Sequence, residues 1–396
     1  ITADNAIVDT RVSATQGPLR VLFLTDSPIS VSGGSERFLR NLVNGLPREQ
    51  FSINVVQLCD EPRQAARLHE AAISAWVEVR HLPCGAVYDR SGLRAYRILR
   101  HRVLHEGFHI IQSQHENADV LNALLPRGPL GAIRISNRRD TGFLKSPRLR
   151  LASRFLNHRY DRIVAPTPAV LDAVASSEGA RRTRMQCIPN GVDAARFRPG
   201  DASSGQRVRS SLGLPSDALL VVCVADLFAV KRHVDLIDAF ARVHGEFPQA
   251  HVLLIGDGPL RGAIEARARE CHVADAVHLL GSRRDVDALL PAMDLFVLAS
   301  ETEGLSNAIL AAQACGLPVV ATKTGGNPDI VDAERGLLVE PHHPVALAGA
   351  IGSLLRDPAL RARMGAAART RVVRDHSLEA MTQAYAALYR EHAHVR

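Results

Sequence analysis

Lysine is nearly missing from this chain. Lys145, Lys231 and Lys323 are the only ones, so the net charge of +7 rests almost wholly on arginine. That surplus permits anionic partners such as nucleotide phosphates, a lipid pyrophosphate or an acidic membrane surface. Aromatic residues make up only 4%, too few for the stacking platforms that grip single-stranded nucleic acid, so no nucleic-acid partner is expected. No apolar run approaches the roughly 20 residues that cross a bilayer. The six cysteines are scattered without a C-x-x-C pair. This argues against a disulfide framework or a metal site and suits reduced thiols in a cytoplasmic protein. Ile1-Thr2-Ala3-Asp4 lacks the basic-then-apolar order of a secretory signal; with no Met leading the chain, an upstream signal stays an open question.

What is present is an ordinary soluble composition, 46% hydrophobic and 22% charged, over a length that suits two or three domains. Residues 20–24 form a short apolar run. The helical spacing of Phe38, Leu39, Leu42, Val43 and Leu46 follows and is closed by Pro47. A strand at 52–58 completes a β-α-β unit of the kind that builds parallel sheets. Further strands are expected at 75–80, 109–113, 131–136 and 162–165, with helices at 91–106 and 148–159. The polar stretch 198–207 reads as a linker. Beyond it, strands at 219–224, 251–255, 276–280, 295–298 and 318–321 alternate with helices at 234–244, 260–270, 286–292 and 306–314. Mostly apolar, unalternating strands imply sheets covered on both faces. The pattern therefore predicts an α/β chain of two doubly wound domains, 1–198 and 199–375, with a terminal segment 376–396. In such folds ligands sit beyond the carboxyl ends of the strands.

The chemistry-bearing loops fall at those ends. Gly33 and Gly34 open onto a helix, where backbone N–H groups can approach a phosphate; a ligand-free turn is the competing reading. Lys231 follows a strand by a short loop and can set its ammonium against a diphosphate, or sit solvated on the surface. In the loop 300–307, Glu303 can accept hydrogen bonds from sugar hydroxyls. The N–H groups of the following helix start can take phosphate oxygens, while Ser306 caps that helix. Asp285-Val286-Asp287 matches a D-x-D metal motif in form, but Asp285 stands at a helix N-cap position, so no metal site is assigned. His101 and His105 are spaced as zinc ligands on a helix and read as a surface pair. The arginine-rich segments 91–106 and 134–162 have the makings of a basic amphipathic surface for peripheral membrane contact, or of an ordinary helix with a charged outer face.

Taken in order, Ile188-Pro-Asn-Gly-Val-Asp193, Lys231, Gly256-Asp-Gly-Pro259, Gly281, Ser300-x-x-Glu-Gly304, Ala314-Cys-Gly316 and Gly325-Gly-Asn327 resemble glycosyltransferase family 4 (group 1). The resemblance runs from about residue 20 to 390. It implies the GT-B fold, two facing Rossmann-like domains with an inter-domain cleft, and a last helix, 378–390, that crosses back to the N-terminal domain. It also implies a retaining, hexosyltransferase-type enzyme needing no metal or other cofactor. Such an enzyme moves a sugar from a UDP- or GDP-sugar to a glycan or lipid-linked acceptor, in surface polysaccharide assembly at the inner face of the membrane. By matching position, Lys231 would neutralise the leaving diphosphate and Glu303 would grip the donor sugar. Gly33, Gly34, Gly256, Gly281, Arg283, Gly304, Leu305, Ser306 and Asn307 would line the donor site. Arg138, Arg139 and His115 fall on the acceptor side.

Three positions depart from the family pattern. The second glutamate of its E-x7-E pair is Ala311, with Asn307 one turn earlier as a weak substitute. The usual arginine before the lysine is Asp226, and the usual histidine is missing near 135–137. Losing a buried ribose contact or a phosphate cation would each cost about 1–3 kcal/mol. An alternative therefore stands beside the active enzyme: a catalytically weakened GT-B protein serving as a binding or partner subunit. A GT-B epimerase or phosphorylase fits the Ser300–Gly304 loop and Lys231 less well.

Overall fold

The computed structural model describes residues 17–29, 33–59, 73–142, 145 and 147–393. Its first sheet contains β1 (Leu19–Thr25), β2 (Phe51–Gln57), β3 (Glu78–His81), β4 (Ile110–Gln114), β5 (Ile133–Asn137), β6 (Arg162–Ala165) and β7 (Met185–Cys187), in the order β3-β2-β1-β4-β5-β6-β7. The second contains β8 (Leu219–Val224), β9 (Ala250–Ile255), β10 (Val277–Gly281), β11 (Leu295–Leu298), β12 (Val319–Thr322) and β13 (Gly336–Val339), in the order β10-β9-β8-β11-β12-β13. Every pairing is parallel. β1, β8 and β11 are buried almost throughout, as their unalternating apolar sequences require. These are two Rossmann-like doubly wound units. Strand order reverses between β1 and β4, and again between β8 and β11, which opens a crevice at each switch point.

Helices cover both faces of each sheet. In the first unit these are α1 (Gly34–Gly45), α2 (Arg90–Glu106), α3 (Glu116–Leu124), α4 (Pro147–Leu156) and α5 (Pro168–Glu178). α1 buries Phe38, Leu39, Leu42 and Val43 on one stripe. α2 starts where the Asp89 carboxylate accepts the Gly92 N–H and stops at Gly107, whose φ of 66° ends the helix. The second unit carries α6 (Ala202–Ser211), α7 (His233–Glu246), α8 (Arg261–Glu270), α9 (Val286–Leu289), α10 (Asn307–Ala314), α11 (Asn327–Ile330), α12 (Pro344–Arg356) and α13 (Pro358–Asp375). The last helix, α14 (Leu378–Ala393), packs Met381, Tyr385 and Tyr389 into the core of the first unit, against Phe23, Phe38 and Phe51.

The stretch expected to be a linker corrects to α6. Asp201 caps it by accepting the Ser204 N–H at 2.8 Å, and Arg209 ties it to Asp294 at 2.8 Å and to the Ala218 carbonyl at 2.9 Å. A polar helix needs such ties because it has little apolar face to bury.

Candidate active site

Two loops at the carboxyl edge of the second sheet build the centre. Beyond β8 the chain passes Asp226 and makes one helical turn, Ala229–Lys231. Beyond β11 it runs from Ser300 into α10. The loops are joined where the Glu301 N–H donates to the Val230 carbonyl at 2.8 Å. This join brings the Lys231 Nζ to 2.6 Å from Glu303 Oε1, an oxygen that also accepts from Ser300 Oγ at 2.7 Å. Lys231 is half-buried and Glu303 nearly buried, so each charge is held chiefly by the other. Behind them His233 is buried; burial first, then the Lys231 charge, push its pKa down to about 4, which leaves it neutral. Gly304 is required by close approach of the two units: a Cβ there would stand 2.1 Å from the Arg139 carbonyl oxygen. Gly325, at φ +50°, lies under the same loop, and a Cβ would fall 1.7 Å from the Glu303 carbonyl oxygen.

The first unit closes the other wall. Gly33 is the N-cap of α1, and the Gly34 carbonyl accepts from Asn307 Nδ2 at 3.1 Å. Asn190 Nδ2 donates to Asn307 Oδ1 at 2.8 Å. Arg139, just beyond β5, lays its guanidinium 3.7 Å from the Phe38 ring centroid and donates to Asn137 and Asn190. Burial lowers its pKa to about 10, which keeps it charged at neutral pH. Lys231, Glu303, Gly304, Leu305, Asn307 and Gly34 thus line one cavity of about 250 Å³ between the units, together with Arg139 and Asn190. A second cavity of about 270 Å³ lies within the first unit and is lined by His115, Glu116, Arg138 and Arg139 among others. Arg138 is buried and paired with Asp119 at 2.9 Å and Glu178 at 3.3 Å. His115, at φ +73°, has Nδ1 3.2 Å from Thr25 Oγ1; burial holds its pKa below the ordinary value.

Other predicted positions stand apart from the 250 Å³ cavity. Gly256 and Gly281 adjoin at the ends of β9 and β10, the first donating its N–H to the second's carbonyl at 3.0 Å. Arg283 is exposed beside them. Ser306 caps α10 through the Ile309 N–H at 3.3 Å. Asp285 does occupy an N-cap position but, contrary to expectation, its side chain does not cap. Its two oxygens accept from Arg283 at 2.8 and 2.6 Å instead. Ala311 is 4% exposed within the core of the second unit. Asp226 is exposed, and its charge reaches Arg37 of α1 across the cleft. His101 and His105 stack their rings at 4.2 Å, and among the described residues no metal-ready group of three ligands forms. Sequence reading did not single out Asn190, Ser300 or Asp140. The first two lay inside quoted motifs; nothing local marked Asp140.

Residues 205–371 match the family model described as Glycosyl transferases group 1, and residues 32–196 match Glycosyltransferase Family 4. The chain is 31% identical over 361 residues to the D-inositol 3-phosphate glycosyltransferase of Acidothermus cellulolyticus, covering 85% of this chain and 73% of the relative. It is 31% identical over 251 residues to the GDP-mannose-dependent monoacylated alpha-(1-6)-phosphatidylinositol monomannoside mannosyltransferase of Corynebacterium glutamicum. That alignment covers 61% of this chain and 65%, just under two thirds, of the relative. Among solved structures, Anabaena Alr3699/HepE in complex with UDP superposes with a TM-score of 0.83 at 22% identity, over 94% of this chain and all of that one, a likeness of fold.

Proposed function

The chain belongs to the group 1 (family 4) glycosyltransferases, and from that premise we propose that it moves a hexose from a nucleotide-diphosphate sugar to a glycan or lipid-linked acceptor, with retention at the anomeric carbon. The observation that carries this reading is the Lys231–Glu303 pair, 2.6 Å apart at the start of α10 in a cavity walled by both units. The departing diphosphate gathers negative charge as the glycosidic bond breaks. A fixed ammonium and free helix-start N–H groups stabilise that charge without reorganising. On donor arrival Lys231 exchanges its carboxylate partner for the diphosphate, and Glu303 turns its freed oxygen to the sugar hydroxyls. A nucleotide-sugar donor is supported by the relative named for GDP-mannose and by the neighbour crystallised with UDP. Surface glycan assembly at the membrane is part of the same proposal. It is supported by the arginine-rich outer face of α2 and the exposed Arg154 of α4, and no described helix is long and apolar enough to cross a bilayer.

The test is release of nucleotide from UDP-, GDP- and ADP-sugars with acceptors present, and NMR of the anomeric configuration in the product. Silence across the donor panel would sink the reading, and an inverted product would remove retention. A second reading, a weakened partner subunit, is favoured by Ala311 lying in the core and by the exposed carboxylate of Asp226, which leave those two positions without a ribose or phosphate contact. Micromolar donor binding accompanied by turnover would eliminate it.

A further inference from the structure

The second cavity shares Arg139 and Asp140 with the donor cleft, so a molecule seated there reaches the reacting centre. Two of its three cations are paired with carboxylates, and Arg139 is held by neutral amides. Arg138 is bound by Asp119, Glu178 and Asn157, Lys145 by Glu178 at 2.6 Å, and Arg139 by Asn137 and Asn190. His115 is held neutral by burial. The start of α3, where helix N–H groups would ordinarily welcome a phosphate, is also occupied. The Asp26 carboxylate accepts from the Asn117 and Ala118 N–H groups, both at 2.7 Å. What stays open is mixed: the exposed Glu116 carboxylate, the Asp140 oxygen that does not accept from Gly142, and the buried Nε–H groups of Arg138 and Arg139, which have no partner.

We propose that this cavity receives a neutral, hydroxyl-bearing sugar as acceptor and rejects one that places a phosphate there. The proposal rests on the glycosyltransferase reading and adds the acceptor's charge class to it. Hydroxyls donate to Glu116 and to the outer oxygen of Asp140, and accept from Arg138 Nε–H. A phosphate meets two open carboxylates in a lining where, among the described residues, the acidic side chains of Glu116, Asp119, Asp140 and Glu178 outnumber the cations of Arg138, Arg139 and Lys145; like charges of this kind are how a site disfavours a partner.

The experiment pairs each acceptor with its phosphorylated twin, for example inositol against inositol 3-phosphate and methyl mannoside against mannose 6-phosphate. It measures transfer from the best nucleotide sugar, and direct binding to UDP-loaded protein by saturation-transfer NMR. The neutral twin is expected to win by at least about tenfold in kcat/KM. Glu116→Gln, on an exposed side chain, should raise the neutral acceptor's KM about fivefold, leave the donor KM unmoved and narrow the gap between twins. Equal or better use of the phosphorylated twin overturns the proposal, as does a Glu116→Gln variant that leaves discrimination unchanged. Absence of any transfer defeats the glycosyltransferase reading instead, while the binding comparison still decides the cavity's preference.

Discussion

Lys231 and Glu303 lie far apart in the chain, yet their 2.6 Å contact is the shortest summary of the candidate chemistry. Lys231→Ala removes the one lysine aimed into the cleft and should lower kcat about 10²–10³-fold, the range found for deleting a single preorganised stabilising donor. Nucleotide-release kinetics would measure this, with circular dichroism unchanged. Ala311 argues differently. Because it is 4% exposed in the core, Ala311→Glu inserts a carboxylate among apolar neighbours and should cost at least about 2 kcal/mol, read as a lower urea midpoint. A gain of activity without loss of stability would mean that the site opens toward the cleft. Both residues were legible as motif positions; that one side chain faces the cleft and the other the core was not, because neighbours from elsewhere in the chain decide it.

α3 shows why some elements escape a periodicity search. Its buried positions include Asp119 and Asn122 as well as Leu121; Asp119 accepts from Ser113 and Ser136, and Asn122 donates to carbonyls of β4 and β5. Buried polar groups disguise the apolar stripe that marks a helix. Its cap carries a pH signature. Burial, the largest influence, raises the Asp26 carboxyl from 3.8 to about 7, although the Asn117 and Ala118 N–H groups oppose the rise. Between those values the folded protein holds a proton that the unfolded chain releases. Stability contributed by this group is therefore present below about pH 4 and lost as pH rises to about 7. Thermal unfolding across pH 4–8 should show the wild type losing ground against Asp26→Asn as pH rises; parallel curves would contradict this. The strongly periodic elements, β1, α1, β8 and α7, were readable to within a few residues because burial and period agree there.

The two units are laced by the return of α14. Tyr389 is fully buried in the first unit, with its hydroxyl donating to Gln112 at 2.7 Å, and Tyr385 accepts from Asn137 at 3.0 Å. Tyr389→Ala should destabilise the first unit by about 3–5 kcal/mol, visible as an early transition in calorimetry. The outer layer of α2 and α4 exposes Leu93, Ile98, Leu151 and Phe155 among arginines. If a membrane covers this face, the protein should sediment with anionic vesicles, less so at high salt, and the double change Leu151→Asp with Phe155→Asp should release it. Equal binding to zwitterionic vesicles would contradict an electrostatic contribution.

Alternation of apolar runs with helical periodicity was enough to specify two parallel α/β sheets, since runs such as β1, β8 and β11 suit strands buried on both faces. Glycine-bearing loops at strand ends likewise marked the edge where Gly34 and Gly304 line the 250 Å³ cavity. Charge pairing was beyond that reach. Whether Lys231, Arg138 or Asp26 is free or engaged depends on partners brought from distant strands and, at the cleft, from both units, and distances of a few ångströms between such groups arise only when the sheets and the last helix have packed.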